Sequence, residues 1–389
     1  MQDLIFFAII SVLVFVAPMI NNLIKIPVVI VEILLGALAI NSGIIIESNS
    51  VKEVAQIGFL FLMFLAGMEV DLKSFKAMGK NFLKQVTMYF FILYSITFIF
   101  ISLLDLPAIY IVALPIMSLG MIMILIQDYG KQYDWLNLCL KIGIIGELIS
   151  VLMLVLLNGY YSFGIGIELY KSLGILIAFL ITMVILFQVF SIIFWWFPDL
   201  RLLLMPDSSK SNQDIRYSMM LFFIMVVIVS LLHIELALGA FLSGLIISNY
   251  FKYKKELHHK LNEFGFGFLI PLFFVYIGTT LDFNLIFTDK SIVLHALQIC
   301  VIMIVIRLIA AGLVFNSYFK TTKSVFLFAL SDAMPLTFLI AMATLGLNIG
   351  ALQKEQYYSF VLSAMLEAVL FMIIIKIILH FTEDSKKET

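Results

Sequence analysis

The sequence predicts an all-α integral membrane protein with about thirteen transmembrane helices. Three observations predict it: an extreme apolar composition, a succession of span-length apolar runs, and a lopsided distribution of basic residues between alternate loops. Hydrophobic residues make up 63% of 389 and charged residues only 13%, against roughly a half and a quarter in soluble domains. Mean hydropathy is +1.13. A net charge of −1, with no basic domain, argues against nucleic acid as a partner. Cys139 and Cys300 both lie inside apolar segments and read as small core residues, not as a disulfide or a metal cluster. No nucleotide loop, metal-ligand cluster or nucleophile–base arrangement supports an enzyme, and no cofactor is implied.

The apolar runs fall near residues 3–24, 27–46, 55–71, 82–104, 106–127, 136–158, 173–196, 217–234, 235–250, 264–283, 292–316, 323–346 and 357–381. The division around His233 and Glu235 is the least sharply marked. The first run has no basic stretch before it and no small-residue cleavage site after it, so it reads as a retained helix. Lys and Arg in alternate loops divide 17 to 4, with three more inside spans. By the positive-inside rule this bias puts the N-terminus outside and the C-terminus in the cytoplasm, as in a bacterial inner membrane. The polar stretch from Pro198 to Arg216 reads as a cytoplasmic linker, and the residues after His380 as a short polar tail.

Similar pieces recur in corresponding runs of the two halves. LLGALAINSG around Gly36 is matched by ALGAFLSGLIISN around Gly239, and FLFLMFLAGMEVDLKSF by FLIPLFFVYIGTTLDFNLIF. Gly67 precedes Asp71 by four positions, as Gly278 precedes Asp282. Matching runs are seven apart, and an odd number of crossings inverts the second copy. The expected organisation is a first six-helix repeat over 1–158, a linker helix and loop over 159–216, an inverted second repeat over 217–381 and a tail over 382–389.

Runs five and twelve are partners on this scheme, and both are interrupted. The fifth reads ALPIMSLGM, with Pro115, Ser118 and Gly120; the twelfth reads LSDAMPLTF, with Ser331, Asp332, Pro335 and Thr337. Proline removes a backbone donor and clashes with the preceding turn. Lipid cannot satisfy the freed groups, so broken backbone survives only within protein or beside a water-filled cavity. Paired interruptions in matching positions point to a transport site.

Ionisable groups within the spans are the other signal. Glu147 sits mid-run in KIGIIGELISVLMLVLLN, where a carboxylate costs roughly 2.5–3.5 kcal/mol on insertion scales. Such groups bind ions or protons, or pair inside the bundle. Lys141 lies about 240° round the helix from Glu147 and is expected to snorkel towards the cytoplasm. Arg307 stays protonated, so it can shape a site or form a structural pair but cannot carry the transported proton. Asp332 is either a second ion ligand or a cap at the break. Glu32 and Glu367 fall near helix interiors with no partner evident from the sequence.

Four motifs in order carry a family resemblance: FLFLMFLAGMEVDLKSF around Gly67 and Asp71, LALGAFLSGLIIS, PLFFVYIGTTLDF around Gly278, and ATLGLNIG. Together they resemble the monovalent cation:proton antiporter superfamily, particularly its second branch. The resemblance covers nearly the whole chain. It implies a thirteen-helix inverted-repeat fold with two crossed discontinuous helices, a homodimer in lipid, and elevator-like exchange of Na+ or K+ for H+. By the same resemblance Ser118 matches a hydroxyl of the fifth-helix break, with Leu119 where Thr is common. Gly146 and Glu147 stand where the family carries Asp-Asp or Asn-Asp, so one carboxylate is kept and its polar neighbour is absent. Arg307 stands where electrogenic members carry Lys and electroneutral ones often carry Arg. Leu336, Thr337 and Phe338 replace an Arg-Gly-Glu found in some members. Glu147 with Ser118 is therefore the expected cation and proton site, holding the transported Na+ or K+, with Arg307 as its electrostatic partner and one-for-one, electroneutral exchange. Two other readings use the same scaffold: a Na+-coupled organic-anion symporter, or a non-transporting membrane sensor with a degenerate site.

Overall fold

The computed structural model describes residues 2–387 apart from 25, 45–48, 71–78, 131, 165, 198, 200–211, 252–254 and 320. Asp71 and most of the expected linker, including Pro206 to Lys210, lie outside the described residues. Every regular element among those described is helical. They are α1 (Gln2–Ile24), α2 (Val28–Asn41), α3 (Asn49–Glu69), α4 (Lys80–Leu104), α5 (Tyr110–Ala113), α6 (Leu119–Tyr129), α7 (Asp134–Phe163), α8 (Ile167–Trp196), α9 (Gln213–Leu231) and α10 (Leu236–Tyr250). Then follow α11 (Lys255–Phe264), a π-helical turn (Gly265–Leu269), α12 (Ile270–Thr279), α13 (Phe283–Thr288), α14 (Lys290–Phe319), α15 (Thr322–Asp332), α16 (Leu336–Asn348) and α17 (Lys354–Lys387).

Among the described residues nine helices are long and apolar enough to cross a membrane, or ten if the bent pair α15–α16 is one span. The other three expected spans correspond to the shorter apolar helices α2 and α10 and to the interrupted α5–α6. The structure thus bears out an integral, multi-pass, all-helical protein, while length alone does not yield thirteen. The expected break near His233 is present: α9 ends at Leu231, and His233 adopts a left-handed φ of 54° before α10 begins. Most of the expected tail is helical, since α17 continues to Lys387. Large apolar side chains along α8, including Ile177, Ile181, Val184 and Ile185, are exposed, as lipid-facing positions require.

The chain forms two compact units, each assembled from both halves of the sequence: 1–77 with 158–283, and 78–157 with 284–389. In the first unit α2 packs on α12 and α3 on α10. Glycines set both crossings. A Cβ on Gly36 would stand 2.0 Å from the Val275 carbonyl oxygen, and one on Gly278 would stand 2.0 Å from that of Ile33. Equivalently, a Cβ on Gly67 would meet the Phe241 oxygen at 2.0 Å and one on Gly244 the Phe64 oxygen at 1.9 Å. The helix ends match as well. Asn41 donates from Nδ2 to the carbonyls of Ala37 and Leu281, while Asn249 does so to those of Leu245 and Val70.

These contacts make Gly244, not Gly239, the counterpart of Gly36. Gly239 instead lies against Met225 and Val229 of α9. The Leu-Gly-Ala triplet shared by both stretches hid this difference of five positions. Since backbone is the obstacle at these crossings, Gly244→Ala should lower stability by roughly 1–3 kcal/mol. Gly312→Ala, where a Cβ meets nothing within 4 Å, should not lower it. Thermal unfolding in detergent measures both, and a Gly244→Ala protein as stable as the unmodified chain would remove this account of the crossing.

The second unit builds around α14, which packs on α4, α15 and α17, with α17 also against α15 and α16. Two chain breaks meet its core. One is the non-helical stretch from Leu114 to Ser118 between α5 and α6, and the other runs from Ala333 to Pro335 between α15 and α16, which bend by 41°.

Candidate functional site

The first break is centred on Pro115. Continuing the helix would use the carbonyls of Leu114 and Ile116 to accept from residues four ahead, but the chain is extended at Ser118 (φ −145°, ψ 137°), where α6 is capped. Gly120 N donates to Ser118 Oγ at 3.4 Å, the ordinary service of an N-cap serine. Arg307, fully buried on α14, takes the freed carbonyls. Its Nη1 donates to Leu114 O at 2.7 Å and to Met303 O at 3.2 Å, and its Nη2 donates to Ile116 O at 2.6 Å.

The same guanidinium binds the second break. Arg307 Nε donates to the Asp332 backbone oxygen at 3.1 Å and to its carboxylate Oδ2 at 3.2 Å. Asp332 is the last residue of α15, and its Oδ2 also receives the Tyr89 hydroxyl of α4 at 2.7 Å. The carboxylate is thus engaged in a buried ion pair, and α16 begins at Leu336, after the N-cap residue Pro335, without a side-chain cap. Its other oxygen, Oδ1, has no hydrogen-bond partner among the described residues. One arginine therefore satisfies backbone from both interruptions, and a fixed guanidinium fork with five donors suits that task.

Hydroxyls from the two breaks also meet. Ser118 Oγ and Thr337 Oγ1 are 2.6 Å apart. Gly120 lies beside them, and a Cβ there would keep ordinary contact distances of 3.7 Å to Ser118 Oγ and 3.9 Å to Thr337 Oγ1. Ser331 is not part of this group, since its hydroxyl donates to Leu327 O one turn back.

Glu147 is 2% exposed on α7. Residues near it on the helix wheel lean on the first break. Met117 N donates to Ser150 Oγ at 2.9 Å, and a Cβ on Gly143 would stand 2.9 Å from Leu119 Cδ2. Gly146 faces Met117, whose sulfur would lie 2.1 Å from a Cβ there. A side chain at 146 would require Met117 to move, and in this structure the flexible thioether occupies the volume that a polar residue at this position would need. Lys141 turns elsewhere, with Nζ 5.8 Å from the Phe82 ring centroid.

Residues 9–381 match the family described as "Sodium/hydrogen exchanger, transmembrane". The chain belongs to the sodium/hydrogen exchanger family. YjbQ of Bacillus subtilis (strain 168), which is named for Na(+)/H(+) antiport, is 26% identical over 389 residues, covering 93% of this chain and 61% of that protein. The chain thus spans about three-fifths of that relative's length. A Methanocaldococcus jannaschii protein named "Probable Na(+)/H(+) antiporter 3" is 25% identical over 396 residues, covering 96% of this chain and 95% of that one. The solved structure of the sodium proton antiporter MjNhaP1 from Methanocaldococcus jannaschii at pH 8 aligns with a TM-score of 0.67 at 15% identity, over 97% of each chain, which establishes a shared fold.

Sequence reasoning missed several residues of this family member's second unit. Tyr89 reads as an ordinary aromatic of an apolar run, and only the fold reveals that its hydroxyl reaches Asp332. Ser150 and Met117 were equally silent, because their roles depend on which face of α7 meets the break.

Proposed function

We propose that this exchanger-family protein is a secondary transporter that moves a monovalent cation, Na+ or K+, against H+ by alternating access. Glu147 is the shared site and Ser118 a neighbouring oxygen ligand. The observation that carries this reading is the meeting of two interrupted helices, tied by Arg307 and lined by the Ser118 and Thr337 hydroxyls, next to the helix that buries Glu147. Backbone at a break supplies oxygen atoms without charge, and a single carboxylate supplies the charge that a cation or a proton cancels. If the site crosses the membrane only when neutralised, each passage carries one or the other and the result is exchange.

The electrical balance follows from the pairing of Arg307. Its charge is matched by Asp332, so the scaffold adds no charge of its own to the moving site. One cation for one proton then transfers no net charge. In proteoliposomes the exchange rate should stay constant when the membrane potential is clamped at different values; a rate that follows voltage would rule out this stoichiometry. Dissipation of a preset pH gradient on adding Na+, K+ or Li+ tests the function itself and ranks the ions. No acceleration by any of them would defeat the exchange reading. We further propose a homodimer in a bacterial inner membrane, with the N-terminus outside and the C-terminus in the cytoplasm, as the loop charges favour.

A further inference from the structure

Glu367 on α17 is completely buried, as Glu147 nearly is, and the exchange mechanism makes no use of it. Its Oε1 accepts from Ser363 Oγ one turn earlier at 3.2 Å, and Oε2 has no hydrogen-bond partner among the described residues. The Cys300 thiol of α14 completes the group. Its Sγ is 3.3 Å from Ser363 Oγ and 3.6 Å from the Ser363 carbonyl oxygen. On the helices packed against α17, the charged or titratable groups that act on Glu367 are Cys300 and Arg307. Arg307 is committed to Asp332 and to the carbonyls of Leu114, Ile116 and Met303. α16 carries no titratable side chain.

Glu147 follows the break proline Pro115 by 32 residues, and Glu367 follows the break proline Pro335 by the same 32 residues. Each lies on the long helix after its broken segment. The matched crossings at Gly36–Gly278 and Gly244–Gly67 are built from the same two halves of the chain.

We propose that Glu367 is a second proton-binding site, the counterpart of Glu147 in the other half of the chain. An isolated ionised carboxylate is expensive in apolar surroundings, so the group must be neutralised by something it binds. A hard monovalent cation needs several oxygen ligands, whereas Glu367 has one hydroxyl and a soft sulfur beside it. A proton needs only the carboxylate and one neighbour. The assignment stands apart from the exchange reading, because it concerns occupancy and not transport.

Infrared difference spectra of the purified protein on exchange of H2O for D2O test it, through the C=O stretch of protonated carboxyl groups. The unmodified protein should show a carboxyl band that is lost in Glu367→Gln and kept in Glu147→Gln. Ser363→Ala, which retains the acid and removes its hydroxyl partner, should shift that band, and it covers the case in which Glu367→Gln fails to fold. A Glu367→Gln spectrum identical to the unmodified protein's, or a Ser363→Ala band at the unshifted frequency, would overturn the proposal. Failure of the exchange reading would register differently, as vesicle pH gradients indifferent to Na+, K+ and Li+ with the Glu367 band intact.

Discussion

Glu147→Gln should reduce cation-driven proton flux in proteoliposomes to the level of empty liposomes, while the purified protein elutes and melts as the unmodified chain does. Glutamine preserves the volume of the side chain, so the contacts of α7 with the first break, through Gly143, Gly146 and Ser150, remain available. On the proposed mechanism the substitution removes the ability to alternate between a bound proton and a bound cation, since an amide has no charge for either to neutralise. Glu147→Asp should retain partial activity because it keeps the charge and withdraws it by one methylene. Full activity in Glu147→Gln would remove this residue from the mechanism.

Arg307→Met should be the most destabilising single change in the second unit. It strands the Asp332 carboxylate in a site 2% exposed and leaves four carbonyls, those of Leu114, Ile116, Met303 and Asp332, without the guanidinium. Breaking a buried pair by removing one partner costs roughly 3–5 kcal/mol. The loss should appear as early aggregation on heating in detergent. Arg307→Lys retains charge but not the planar fork, and should recover only part of the stability. In Arg307→Met/Asp332→Asn no carboxylate is stranded, so the double change should cost less than the two single changes together. Additive losses would mean that Arg307 acts through packing alone.

The parts of this architecture legible in the sequence are those that lipid makes expensive. Pro115 and Pro335 announce the two breaks because a membrane cannot satisfy freed backbone. Glu147 and Arg307 stand out because each is a charge in an apolar run. Lys141 could be set aside because its angle on the helix excludes the Glu147 face. What stayed hidden depends on which faces meet. The sequence offers two roles for Asp332, and only its distances to Arg307 and Tyr89 reveal an ion pair. Gly146 looks like a missing polar residue until Met117 is found in the same space. Gly239 looks like the partner of Gly36 because a triplet repeats, whereas the backbone crossing selects Gly244. Ser331 and Thr337 are alike as hydroxyls near a proline, yet one turns back to its own helix and the other reaches Ser118.

On the proposed mechanism one carboxylate, Glu147, exchanges a proton for a monovalent cation. The most direct test is proton release from purified protein in weakly buffered detergent when Na+ or K+ is added. The unmodified chain and Glu367→Gln should both acidify the solution in proportion to protein, and Glu147→Gln should not. Equal proton release from Glu147→Gln and the unmodified chain would contradict the account.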